Sequence, residues 1–259
     1  MGGVRIERRG SLAALRLDKA RGNAIDGGLA DDLIRACREL AADDTVRGVL
    51  LASAHPKLFS GGLDLVELGA CDRPTMERFM GRFAEMVYAL YTLPAPVVAA
   101  VAGHAIAGGC ILALTADYRI LRRGGVQIGL NEVRVGVPLP GAVLVLLRSA
   151  VPAIALPDIA LLGRNFADDE AVSHGLVHAL ADGAGFEDFC VARLEEFAEK
   201  DAAAVRAIKA ALRAPVVREM REREPELMSV WLDRWFAETT RVRMREIVES
   251  LGRPKGTKL

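Results

Sequence analysis

A chain of 259 residues that is 51% apolar, 26% charged and only 5% aromatic can bury one large core or two small ones, and is too apolar to be disordered. Its 34 basic and 34 acidic residues cancel, which leaves no global positive field for a nucleic acid backbone, so no nucleic-acid partner is expected. The cysteines Cys37, Cys71, Cys110 and Cys190 are too scattered for a disulfide framework or a CxxC metal pair. They read as small buried hydrophobes in a reducing compartment, which suits a cytoplasmic protein.

The opening MGGVRIERRG carries charges where a secretory signal needs an apolar centre. Residues 4 to 17 read as two short strands meeting around Arg9 and Gly10. Leu29, Leu33, Ile34, Cys37 and Leu40 recur at helical spacing, with Asp31, Asp32, Arg35 and Glu39 on the other face; a buried strand, Val46 to Leu51, follows. A second amphipathic helix begins near Pro74 and carries Met76, Phe79, Met80, Phe83, Met86, Val87 and Leu90 on one stripe. That stripe suits either ordinary core packing or a pliable acyl pocket.

Residues 95 to 116 contain no formal charge and are long enough to span a bilayer. However, Pro94 and Pro96 precede the β-branched run from Val97, and Gly103, Gly108 and Gly109 interrupt it. The reading is therefore strand, glycine turn and buried helix from about Gly108 to Thr115, with no membrane partner. A strand from Tyr118 to Leu121 comes next, then short apolar helical pieces broken by Pro152 and Pro157, and a helix from Asp168 to Ser173 closed by Gly175. Beyond Gly185 the chain is helical and charged, so an α/β core over 1–184 and a helical region over 185–259 are expected. The terminal GTKL is one substitution from a peroxisomal address and equally an ordinary polar tail.

Three segments can carry chemistry: FSGGLDL (Phe59 to Leu65), GHAIAGGC (Gly103 to Cys110) and IGLNEVRVG (Ile128 to Gly136). The first two are glycine turns. They are either merely tight turns or, brought together at a sheet edge, a pair of amide donors for one developing oxyanion. Neither is a dinucleotide or P-loop cradle. Glu132 lies in an apolar stretch, where a carboxylate is either desolvated into a proton-avid base or simply a solvated loop residue. Ser60 lacks a nucleophile elbow, His104 stands alone, and His174 with His178 lacks the glutamate of a zinc motif, so no metal is expected.

At these segments, with NAID near Asn23 and the longer run VAGHAIAGGCILALTADYRIL, the sequence resembles the crotonase, or enoyl-CoA hydratase/isomerase, superfamily from about residue 4 to residue 180. The resemblance implies a repeated ββα spiral core and an acyl-CoA thioester substrate, with coenzyme A part of that substrate and no separate cofactor. It also implies an oxyanion hole from the backbone N–H groups of Leu63 and Gly108. Gly61, Gly62, Leu63, Asp64 and Leu65 would line the CoA and acyl path, and Asn131 would flank the reacting carbons beside Glu132. Asp64 is either a turn stabiliser or a catalytic acid.

Hydratases of this superfamily resemble one another in two glutamates, and at the first of those positions this chain has Ile111. The pattern is most similar to the mitochondrial-type Δ3,Δ2-enoyl-CoA isomerases, with Glu132 as single base. A dienoyl-CoA isomerase fits less well, because Pro140 stands where its second acid would be. Also open are a hydratase working through Glu132 alone and a non-catalytic acyl-CoA binding protein. The C-terminal region, with Trp231, Trp235 and Phe236, resembles the superfamily's trimerisation region and implies a homotrimer or a dimer of trimers.

Overall fold

A computed structural model describes residues 2–252, so the GTKL tail lies outside the described residues. Two antiparallel strands open the chain, β1 (Val4–Arg9) and β2 (Leu12–Leu17), paired Val4 to Leu17 through Arg9 to Leu12. Parallel strands β3 (Gly48–Ser53), β5 (Val97–Val101), β7 (Tyr118–Arg122) and β10 (Ala179–Ala181) extend the same six-stranded sheet in the order β1-β2-β3-β5-β7-β10. A second sheet of very short strands, β4 (Leu58–Ser60), β6 (His104–Ile106), β8 (Gln127–Gly129) and β9 (Phe166–Ala167), runs in the order β4-β6-β8-β9. Each of β3, β5 and β7 leads into β4, β6 and β8 respectively and then into a helix, which is the expected ββα repeat.

Both faces of the larger sheet are buried at its central strands β3 and β5, and the two-residue period of a strand sorts side chains between two cores. Val49, Leu51, Val97, Ala99 and Val101 enter the main core, beneath the helices Gly27–Ala41 and Arg73–Tyr91. Leu50, Ala52, Val98 and Ala100 enter a smaller one closed by Cys190 and Leu194 of the helix Phe186–Ala198. The uncharged run at 95–116 is thus β5, β6 and the helix Gly108–Leu114, and no helix among the described residues is long and apolar enough to cross a membrane. Cys37, Cys110 and Cys190 are buried and free as expected, whereas Cys71 is only half-buried.

After Gly185 the chain returns to its own core. The helix Ala202–Trp235 runs 34 residues through Pro215 and Pro225. Lys209 Nζ donates to Asp117 Oδ2 at 2.6 Å and to Ala95 O at 2.8 Å, and Arg213 donates to Asp117 Oδ1 at 2.5 Å, so one aspartate ties the helix to the edge of β5 and β7. Further along, Glu224 accepts from the Ala142 N–H at 2.6 Å, capping the helix Gly141–Ala150. Trp231 and Trp235 are 2% and 1% exposed, stacked with ring centroids 5.0 Å apart. The two tryptophans expected in a trimerisation region are thus covered by the main core of their own chain.

Packing is tightest where Gly109, at the start of the helix Gly108–Leu114, meets the end of β4. A methyl group there would lie 2.1 Å from Ser60 O. Gly109→Ala is expected to lower unfolding free energy by about 1–3 kcal/mol through overpacking. Gly81→Ala, exposed in the helix Arg73–Tyr91 with open space around it, is expected to raise it by about 0.5–1 kcal/mol. Chemical denaturation of both variants checks the pair, and a harmless Gly109→Ala contradicts the packing account.

Candidate active site

The three chemically promising segments follow three strands that lie side by side. β4 pairs with β6 through Ser60 and Ala105, and β6 pairs with β8 through Ala105–Ile128 and Ile106–Gly129, all in parallel. Their C-terminal ends therefore deliver Gly61 to Asp64, Ala107 with Gly108, and Leu130 to Glu132 to one edge. There they line a cavity of about 150 Å³ together with Met80, Phe83, Ile111, Val135, Val137, Pro140, Trp231, Trp235 and Ile247. Of the sequence-derived candidates, Gly61, Leu63, Leu65, Gly108, Asn131 and Glu132 line it.

Gly62 and Asp64 stand behind this wall. Gly62, at φ +91°, is pressed so close to the second turn that a methyl group on it would lie 3.0 Å from Ala107 Cβ and 3.1 Å from the Gly108 nitrogen. Its N–H donates to Ser60 Oγ at 3.2 Å, its carbonyl accepts from the Ile25 N–H, and the Asp64 N–H donates back to Ile25 O. The intervening Leu63 N–H and the Gly108 N–H have no acceptor among the described residues. Asp64 Oδ1 accepts from the Val66 and Glu67 N–H groups at 3.1 Å each, so it caps the short turn Leu65–Leu68. Of the two readings of Asp64, the geometry supports the turn stabiliser.

Ala107 carries the strain of the second turn, at φ +51° and ψ −119°, a conformation unfavourable for any residue with a Cβ. Its N–H donates to Gly129 O at 2.8 Å and its carbonyl accepts from the Ile111 N–H at 3.0 Å, which holds the residue from both sides. No pattern in the sequence marks this position. Asn23, noted only as part of NAID, is fully buried: its Nδ2 donates to Ser53 Oγ and Phe59 O, and its carbonyl accepts from Ser60 Oγ. The three bonds anchor the first turn from behind.

Glu132 opens the short turn Glu132–Val135, which Gly136 closes at φ +102°. Its Oε2 is cut off from solvent and has no hydrogen-bond partner among the described residues, while the residue as a whole is half-buried, so Glu132 is not a freely solvated loop residue. Burial pushes the carboxyl up from the usual glutamate range to about 7, against a smaller opposing effect of its own backbone N–H. A carboxyl with a pKa near neutrality that lines one cavity with Leu63 and Gly108, whose N–H groups have no acceptor among the described residues, is suited to moving a proton next to a carbonyl.

The histidines are engaged elsewhere: His104 Nδ1 accepts from the Gln127 N–H, His178 Nδ1 from the Arg119 N–H, and His174 contacts Glu170 O and Asp158. The carboxylates of Asp26, Asp64 and Glu67 approach within 4.8 Å of one another, and the Lys19 ammonium is paired with Asp26. The sequence reading missed Trp231, Trp235 and Ile247 as cavity walls, because they come from helices more than 90 residues beyond Glu132 and carry no local signal. All three methionines of the stripe, Met76, Met80 and Met86, belong to the core, and Met80 also lines the cavity.

The enoyl-CoA hydratase/isomerase family profile matches residues 7–242, and the chain belongs to that family. Carnitinyl-CoA dehydratase of Escherichia coli K12 is 31% identical over 186 residues, 71% of this chain and 70% of that protein. The peroxisomal enoyl-CoA delta isomerase 2 of Arabidopsis thaliana is 29% identical over 184 residues, 68% of this chain and 76% of that protein. The human mitochondrial Δ3,Δ2-enoyl-CoA isomerase shares the fold, with a TM-score of 0.92 at 24% identity over 98% of this chain and 100% of that one.

The raised carboxyl of Glu132 predicts a pH-dependent stability. The fold favours its neutral form, a contribution fully present below the unfolded glutamate pKa and lost as pH rises through about 7. Glu132→Gln is therefore expected to raise the melting temperature over wild type at pH 8.5 and much less at pH 5. A difference that does not change with pH contradicts the burial argument.

Proposed function

We propose that this enzyme shifts the double bond of a 3-enoyl-CoA to give the 2-enoyl-CoA, in fatty acid degradation, with Glu132 as its only acid–base residue. The supporting observation is the desolvated carboxylate of Glu132 facing a cavity whose position 111 is an isoleucine. The carboxylate takes a proton from C2. The electron pair moves onto the thioester oxygen as a dienolate, which the Leu63 and Gly108 N–H groups bind. The same carboxyl returns the proton to C4, and the double bond settles between C2 and C3. Asn131 flanks these carbons, and Gly61 to Leu65 border the path of the thioester. Coenzyme A enters as part of the substrate, and no separate cofactor or metal takes part.

An apolar wall of Ile111, Phe83, Val135 and Trp235 disfavours a water at the dienolate, which separates isomerisation from hydration. Hydration or dehydration through Glu132 alone is the second reading, favoured by the likeness to a carnitinyl-CoA dehydratase. A non-catalytic acyl-CoA binder has no use for an unpartnered buried carboxylate, which is costly to maintain.

Glu132→Gln is expected to lower kcat for 3-enoyl-CoA by about 10²- to 10⁴-fold while acyl-CoA binding by calorimetry is retained. In wild type, kcat/KM is expected to fall below pH 7 as the base protonates. Near-normal turnover by the variant contradicts the mechanism.

The two oxyanion donors are expected to behave differently under substitution. Leu63→Ala keeps its amide and most of the rate. Gly108→Ala places a methyl group 2.8 Å from Ile25 Cδ1 and 3.1 Å from Gly62 Cα, moves the amide, and is expected to cost about 10²- to 10³-fold in kcat. Equal losses in the two variants contradict the amide assignment.

The chain is also proposed to assemble as a homotrimer or dimer of trimers. Support comes from Ile154, Leu161 and Leu162, which are 90%, 73% and 59% exposed on one short stretch after the helix Gly141–Ala150. Sedimentation equilibrium at micromolar concentration is expected to give at least three times the 27.8 kDa chain mass, and a monomer contradicts it.

A further inference from the structure

The helix Ala202–Trp235 and the turn at 92–94 border a groove of about 770 Å³ that shares no residue with the cavity around Glu132. Ala95 and Asp117, to which Lys209 ties this helix, stand just before the parallel strands β5 and β7. The groove therefore lies where those strands begin, whereas Glu132 and the glycine turns follow strand ends. Ala210, Ala214, Val217 and Arg221 recur on one helical stripe, and with Leu93 and Pro94 the first three give the groove apolar walls. From Arg206 to Glu222 the lining follows the helix for about 24 Å, and the volume is that of a small-molecule site.

The cations along this groove are not equivalent. Arg206 donates to Asp44 Oδ1 at 2.6 Å, and Lys209 and Arg213 share Asp117 and the carbonyls of Ala95 and Thr115, so these three hold the helix in place. Arg218 and Arg221, about one helical turn apart, form no ion pair with an acid among the described residues. Arg221 rests over the Tyr88 ring, 5.7 Å from its centroid, and Glu222 is the one acid among the residues lining the groove. Apolar walls thus run along the groove, with the unpaired positive charge at one end. We infer that the groove is a second ligand site, for a fatty acid anion whose chain lies along Leu93, Ala210, Ala214 and Val217 and whose carboxylate pairs with Arg218 and Arg221. Two guanidinium groups at this spacing suit a carboxylate, which they hold through charge-assisted hydrogen bonds. An acidic peptide or an anionic membrane would call for free positive charge spread along the groove, and one charged end on an apolar trough fits one head on one chain. The site is independent of the chemistry at Glu132.

Titration calorimetry of the full chain with monomeric decanoate, decanol and decyltrimethylammonium, at about pH 8 where the carboxylate is ionised, tests this. Wild type is expected to bind decanoate about tenfold more tightly than either of the other two. The double variant Arg218→Gln, Arg221→Gln is expected to lose about tenfold in decanoate affinity while decanol binding stays within about twofold. Ala214→Trp, which fills the trough and keeps both cations, is expected to abolish binding of both. Turnover of 3-hexenoyl-CoA is expected to stay near wild type in both variants, since neither lies at the active cavity. Equal affinities for the three probes in wild type overturn the inference, and so does decanoate binding that neither variant changes. Sedimentation of the protein with phosphatidylglycerol vesicles in the absence of decanoate binding overturns it in favour of a membrane face, and an oligomer that binds no decanoate overturns it in favour of a second copy on the groove.

Discussion

The close approach of two glycine turns is the constraint on which the rest of the site depends. Gly62 and Gly108 are so near that a methyl group on either would press on the backbone of the other. Parallel pairing of β4 with β6 sets that approach, and the third strand of the sheet, β8, accepts from the strained Ala107 through Gly129 O. An unfavourable backbone conformation of this kind, costing about 1–3 kcal/mol, persists only when its surroundings hold it on several sides. At Ala107 a strand carbonyl holds one end and the first turn of the helix Gly108–Leu114 the other. The result is that the Leu63 and Gly108 N–H groups, neither with an acceptor among the described residues, are held in fixed positions by the same pair of turns.

Electrostatics in the cavity follow from what closes it. Glu132 lies on the third strand's exit, and the cavity it lines is closed by chain far away: Met80 and Phe83 from the helix Arg73–Tyr91, the tryptophan pair from the long C-terminal helix, and Ile247 from the last helix. The ion pairs of Lys209 and Arg213 with Asp117 and the cap supplied by Glu224 hold that long helix in place against its two internal prolines. Removing the helix would take away the tryptophan wall of that cavity and open it to water. Packing of the C-terminal region and burial of Glu132 are in this sense coupled.

Much of this was legible in the sequence because it is written in local periodicity. The alternation that sends Val97, Ala99 and Val101 one way and Val98 and Ala100 the other produces an unbroken apolar run, and proline and glycine at its ends mark it as strand and turn. The three motif segments were recognisable as chemistry-bearing, and the structure brings them together at one sheet edge. The second sheet is not legible, since strands of two or three residues have no period to read and look like parts of turns. Pro215 and Pro225 argue locally against a 34-residue helix, which tertiary ion pairs and burial override. Trp231 and Trp235 read as apolar matter in search of a partner, because nothing in their neighbourhood states that the core lies beneath them.

The central claim is that one desolvated carboxylate moves a proton between two carbons of the same acyl chain and admits no water. Incubating the wild-type protein with 3-hexenoyl-CoA in deuterium oxide and following the product by mass spectrometry and NMR tests it most directly. The account predicts 2-hexenoyl-CoA with no added water and with part of the original C2 protium recovered at C4, carried there by Glu132. A product heavier by one water would contradict it and make the chain a hydratase.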